Sequence, residues 1–83
     1  MQQRLLSIII PTYNIASFIG QTMEACLVQD YPKDKIEIIV VDDASTDDTK
    51  GVVIGYPIKY IYQKRGGPAA ARNRGSKSAK GEV

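Results

Sequence analysis

The sequence contains no histidine and no tryptophan, and it has a single cysteine, Cys26. Without histidine, imidazole bases and imidazole metal ligands are excluded. One cysteine can form neither an internal disulfide nor a cysteine metal cluster. Long apolar runs are missing too. Even Ile38 to Val41, as long as any, falls far below the roughly 20 residues of a membrane-spanning helix. The opening residues, MQQRLL, lack the apolar stretch of a secretory signal, so a cytoplasmic setting is expected. Neither G-x-G-x-x-G nor G-x-x-x-x-G-K-[ST] occurs, which removes the main support for hydride-transfer and P-loop readings. Sparse aromatics among the basic residues argue against a single-stranded nucleic-acid partner.

What is present is an ordinary globular mix: 83 residues, 43% hydrophobic and 24% charged. That length allows one small domain. The net charge of +2 conceals an asymmetry, because Met1 to Ile58 is acidic and Lys59 to Val83 strongly basic. A basic half suits an anionic ligand such as a pyrophosphate, although solvated lysines on a helix face would look the same.

Strand and helix patterns alternate three times. Leu5 to Ile10 is continuously apolar apart from Ser7 and is stopped by Pro11, as for a central strand covered on both faces. From about Ile15 to Val28, the residues Ile15, Phe18, Ile19, Thr22, Met23, Cys26 and Leu27 recur at helical spacing and predict one buried stripe. Cys26 on that stripe reads as core packing. Asn14 is placed to cap this helix, and Asp30, Tyr31 and Pro32 mark its exit. Ile36 to Val41 predicts a second strand ending on Asp42 and Asp43. Ser45 and Asp48 read as a capping box for a short helix, with Thr46, Asp47 and Asp48 in its first turn. Ile58 to Tyr62 predicts a third strand nearer an edge, with Ile58, Tyr60 and Tyr62 on one face and Lys59 on the other. Gly66 and Gly67 form a turn, and Pro68 opens a helix through Ala79. Ala71, Gly75 and Ala79 stand four apart, so this helix can lie close to the sheet. Gly81 ends it.

Parallel strands joined by right-handed helical crossovers give a three-layer α/β unit. Ligands of such sheets sit beyond the carboxyl ends of the strands. Three segments converge there: Pro11 to Asn14, Asp42 to Asp47, and Arg65 to Asn73. Tyr13 can stack on a base, or serve only as a turn residue. A carboxylate at a strand end can accept from a ribose hydroxyl or from the imide N–H of a uracil. Adjacent residues of a strand point oppositely, so Asp42 and Asp43 are expected to differ in role; both capping the following turn is the alternative. The segment RGGPAAARNRG joins a glycine turn, a helix N-terminus and the arginines Arg65, Arg72 and Arg74, a combination suited to an anion.

These motifs together resemble the family 2 glycosyltransferases, which have the GT-A fold. The resemblance is carried by SIIIPTYN at Ser7 to Asn14, IIVVDDASTDDT at Ile38 to Thr49 and GGPAAARNRG at Gly66 to Gly75, in the family's order and spacing. It implies an α/β, three-layer, Rossmann-like GT-A half-domain with three parallel strands alternating with helices. It also implies Pro11, Thr12 and Tyr13 on the base side of a nucleotide, and Asp43 ahead of Asp42 for base or ribose hydrogen bonding. Arg72 and Asn73 would close the pocket. No catalytic or metal residue is expected within residues 1–83, because the resemblance places the Asp-x-Asp motif and the catalytic base beyond Val83.

The parent is therefore expected to transfer sugar from a nucleotide-diphosphate sugar, with UDP favoured and inversion at the anomeric carbon. A divalent metal, Mn or Mg, would serve the complete enzyme and no cofactor this chain alone. The 83 residues alone should be inactive and should self-associate through an exposed sheet edge. Nothing in them spans a membrane, and the expected compartment is the cytoplasm, or the cytoplasmic face of a membrane for the parent. The alternative from another class is a non-catalytic nucleotide-binding or assembly module complete at this length.

Overall fold

The structure is a computed structural model that describes residues 4–27 and 32–81. Its order is β1 (Leu6–Thr12), α1 (Ala16–Leu27), a 3-10 turn (Lys33–Lys35), β2 (Ile36–Asp43), α2 (Thr49–Val53), β3 (Lys59–Gln63) and α3 (Pro68–Ser78). The three strands form one parallel sheet in the order β1-β2-β3. Three parallel strands alternating with helices make the α/β, Rossmann-like architecture that the sequence pattern predicts.

Alternation along β2 sorts the core into two layers. Ile38 and Val40 face α1 and α2, where they meet Ile19, Met23, Cys26 and Val53. Ile39 and Val41 face the other way, against Ala71 of α3. Successive residues of a strand point to opposite faces, so a continuously apolar strand needs a cover on each side. Ile19, Met23, Ile39 and Val40 are fully buried, and each such side chain stabilises the fold by about 1.5–3 kcal/mol. Among the described residues β2 lies between β1 and β3, and β1, at one side of the sheet, is still covered on both faces through Ile8, Ile9 and Ile10.

The reversal at α3 matters for the site. Right-handed crossovers of β1 to β2 and β2 to β3 put α1 and α2 on the same face. After β3 the chain passes to the opposite face, and α3 runs back across β2 and β1. Gly75 permits this approach: a Cβ there would collide with Ile9 Cγ2 and stand 3.2 Å from Val41 Cγ2. Ala71 and Ala79 border the same contact, as the four-residue spacing of small side chains predicts.

Several local expectations need correction. Pro11 does not stop the first strand but lies inside it, paired with Val41; proline is tolerated in a strand flanking a sheet, where its missing N–H need not enter the ladder. Phe18 is 65% exposed and Thr22 is exposed. The buried stripe of α1 is the narrower series Ile19, Met23 and Cys26; Phe18 and Thr22 each precede a stripe residue and are turned about 100° away by the helical repeat. The side chain of Leu27, together with Val28, Asp30 and Tyr31, lies outside the described residues. Tyr62 is exposed despite sharing the parity of Tyr60, while Ile61 joins the α3 layer. Asp48 is the N-cap of α2 but makes no side-chain capping bond, so the capping box does not form. Nor does Asn14 cap α1. Asp47 takes over both tasks, accepting from the first N–H of α1 across the loops and from the first N–H of α2 within its own.

Candidate functional site

The carboxyl ends of β1 and β2 carry loops that are tied to each other. The Asn14 amide nitrogen donates to Ser45 Oγ at 2.9 Å. Asn14 Oδ1 accepts from the Thr46 and Asp47 amides at 2.7 and 3.2 Å. Asp47 Oδ2 in turn accepts from the Ala16 amide at 3.1 Å, the first N–H of α1. Asp47 thus caps α1 from a distant segment, and its Oδ1 receives Thr49. Asn14 has φ 50 and Ala44 φ 65. Asparagine tolerates this left-handed region, whereas alanine is rarely found there. The tight turn at Ala44 brings Ser45 back so that its amide donates to Asp42 Oδ1 at 2.8 Å.

Asp42 and Asp43 do diverge. Asp42 is buried on the α1 side, where Oδ2 accepts from the Tyr60 hydroxyl. Burial first, and then this bond to the Asp42 carboxylate, hold the Tyr60 hydroxyl well above the ordinary tyrosine range. Asp43 is buried on the α3 side, 3% exposed. Its Oδ1 accepts from Gln63 Nε2 at 2.9 Å and the Gly66 amide at 2.7 Å. Its Oδ2 accepts from Arg65 Nη1 and the Gly67 amide, both at 2.9 Å. Gly67 has φ 92, a conformation natural to glycine, and it precedes Pro68 at the start of α3. A buried carboxylate is stable only when its acceptor positions are filled, and Asp43 fills them with the turn that launches α3.

The Gln63 and Gly66 bonds, with those of Gly67 and Arg65, hold the Asp43 carboxyl below the ordinary aspartate range. The Thr49 hydroxyl and the Ala16 amide do the same for Asp47. Ser7 and the Lys80 amide do so for Glu37, at the opposite end of the sheet. A lowered folded-state pKa stabilises the fold above the unfolded value and ceases to do so as pH falls through the folded value. Melting temperature should therefore be flat from about pH 7 to 5 and fall below about pH 4, near the ordinary carboxylate values. Thermal melts across pH 2–7 check this, and a flat profile down to pH 3 would contradict it.

Between these loops lies a cleft of about 130 Å³, lined by Pro11, Thr12, Tyr13, Asp43, Arg65, Pro68 and Ala71. It is smaller than the roughly 300–1,000 Å³ of complete small-molecule sites, and its scale is that of one planar ring. Arg65 lies over the Tyr13 ring, 3.5 Å from its centroid. Of the residues singled out from sequence, Pro11, Thr12, Tyr13 and Asp43 are brought together here. Asp42 points to the other face of the sheet. Arg72 and Asn73 are exposed on α3, adjacent in sequence to Ala71 but outside the lining. Arg65 stood out only as one of three arginines suited to an anion, and Pro68 and Ala71 only as residues of a helix, none of them as part of the base pocket. The signal for Arg65 was its position, two residues after β3 and before the Gly-Gly turn, at the carboxyl end of the sheet.

Among the described residues no group of three or more histidine, cysteine or carboxylate side chains could hold a metal ion. No helix among them is long and apolar enough to cross a membrane. Cys26 is buried, and burial pushes its thiol up, away from nucleophilic chemistry.

Fold and cleft define a Rossmann-like α/β unit with its ligand side at the carboxyl ends of parallel strands. The family model for glycosyl transferase family 2 matches residues 7–83, and the chain belongs to that family. It is similar to an uncharacterized glycosyltransferase of Rickettsia typhi, 44% identical over 80 residues that cover 94% of this chain and 24% of that protein. Its structure resembles that of the mannosyltransferase PcManGT of Pyrobaculum calidifontis in complex with GDP-Man and Mn2+. There the TM-score is 0.88 at 35% identity, over 98% of this chain and 26% of that one. It also resembles S. aureus TarS 1-349 in complex with UDP-GlcNAc, with a TM-score of 0.86 at 38% identity over 92% of this chain and 24% of that one. The chain thus spans about a quarter of the length of these relatives, and its neighbours share the GT-A fold.

Proposed function

We propose that the chain forms the nucleoside end of a nucleotide-sugar site, and that the whole protein transfers a sugar from a nucleotide-diphosphate sugar to an acceptor with inversion. The observation that carries this reading is the ring-sized cleft. It has an aromatic ring at Tyr13 and a buried ionised acceptor at Asp43, held between the ends of β1 and β2 and the start of α3. Pro11 and Thr12 would line the base, Tyr13 would stack on it, and Asp43 would accept its N–H. Asp42 would support the turn from behind, while Arg72 and Asn73 complete the proposed set at the start of α3. A uridine nucleotide is favoured, since its imide N–H suits a carboxylate.

The described residues do not fit a divalent cation, because no three carboxylate, histidine or cysteine side chains among them are grouped to hold one. The Mn or Mg ion that the resemblance implies is proposed for the complete enzyme, as is a cytoplasmic setting.

Calorimetric titration with UDP and with GDP, each with and without manganese, tests the reading. UDP is expected to bind without metal and more tightly than GDP. Strong dependence on manganese within residues 1–83 would place a metal site where none is proposed, and absence of binding by the folded chain would remove the nucleoside pocket.

A further inference from the structure

An ionised carboxylate offers about four acceptor positions, and Asp43 uses four. Three of its donors are fixed in place. Gly66 and Gly67 donate from the backbone, and Gln63 is buried. The fourth, Arg65, is carried on a long side chain that is 55% exposed. Its guanidinium also covers one face of Tyr13, an aromatic ring that lines the cleft. Arg65 therefore holds two things at once: the exchangeable position on Asp43 Oδ2 and a stacking surface of the cleft. Both contacts are those a planar heterocycle with an N–H edge would make.

We propose that Arg65 is an internal competitor for the nucleobase seat, and that a base enters by displacing the guanidinium from Asp43 and Tyr13 together. The proposal rests on reading the cleft as a nucleoside pocket. No backbone rearrangement is needed, because Gly66, Gly67 and Gln63 keep Asp43 and the start of α3 in place while one exposed side chain swings out. The exchange conserves the interactions of the site: a stacked plane is replaced by a stacked plane, and an N–H donor to Oδ2 by another. Arg65 thereby sets how tightly a base is held, since each base contact is gained only by losing an equivalent internal one.

The probe is uridine, which carries no phosphate and so is not itself attracted by the guanidinium. Uridine is titrated into the wild type, Arg65→Ala and Arg65→Lys, with binding followed by NMR amide shifts. An ion pair exposed on its arginine side and a cation–π contact together correspond to roughly five- to tenfold in affinity. Arg65→Ala is accordingly expected to bind uridine about five- to tenfold more tightly than wild type. Arg65→Lys should gain less, since lysine keeps the charge near Asp43 but stacks poorly. Unchanged or weaker uridine binding in Arg65→Ala, with shifts still centred on Tyr13, Asp43, Gly66 and Gly67, would overturn the competitor role and leave the pocket standing. Shifts centred elsewhere, or none, would remove the pocket and the competitor with it.

Discussion

Replacing Asp43 with alanine should reduce UDP binding by at least about tenfold and release the turn that starts α3. The first part follows from losing an ionised acceptor of the cleft lining, because hydrogen bonds to charged groups are the stronger class. The second follows from what the carboxylate already holds. Without it Gln63 Nε2 and the amides of Gly66 and Gly67 lose their acceptor, and Arg65 loses its ion pair. Titration calorimetry reads the affinity, and amide hydrogen exchange at Gly66 and Gly67 reads the turn. The two amides should exchange much faster in the variant than in the wild type. Retained protection together with retained affinity would mean that Asp43 neither binds nor organises. Faster exchange with unchanged affinity would leave it a purely structural residue. Asp43→Asn is a poor conservative control, since its amide NH2 would face a donor where the carboxylate oxygen now accepts.

The second large effect is expected at Gly75. Even a single methyl there would collide with Ile9 and crowd Val41, so Gly75→Val must push α3 off the sheet or distort both strands. Overpacking of this kind costs about 1–3 kcal/mol, with occasional larger values, and the added β-branch places valine at the upper end, near 3 kcal/mol. A domain of this length has a total stability of only about 4–12 kcal/mol. With about 4–8 °C lost per kcal/mol for a small domain, the melting temperature should drop by about 12–24 °C. A fall of only a few degrees would show that α3 is not held at close approach. Gly75→Ala should show the same sign on a smaller scale, because better helix propensity offsets part of the clash. Loss at Gly75 should be accompanied by loss of nucleotide binding, since Pro68 and Ala71 of the same helix line the cleft.

The legible parts of this protein were those governed by local rules. Apolar runs of strand length, helical spacing between Ile19, Met23 and Cys26, and the Gly-Gly-Pro start of α3 each express a backbone or burial constraint confined to a few neighbouring residues. The opposite orientation of Asp42 and Asp43 was equally legible, because alternation is a property of any strand. The three motif segments met at one end of the sheet for the same reason, since parallel strands joined by helices put all their carboxyl ends together.

The illegible parts were those decided by partners far apart in the chain. Asn14 and Ser45 look like caps of their own helices, yet their side chains are taken by each other's loops, and Asp47 caps α1 across more than thirty residues of sequence. Phe18 fits the apolar spacing of α1 but is 65% exposed, because the sheet and α2 cover a narrower arc than the pattern allows. Arg65 looked like one of three equivalent arginines. Only the approach of Tyr13, just past β1, and of Asp43, at the end of β2, distinguishes it. The order of elements, the face each strand residue takes and the end of the sheet that holds the cleft could be read from the residues alone, because they follow from period, handedness and steric rules. Tertiary structure alone decided which polar side chain bonds to which, because a hydrogen bond depends on the distance between segments that the chain brings together only when its core is packed.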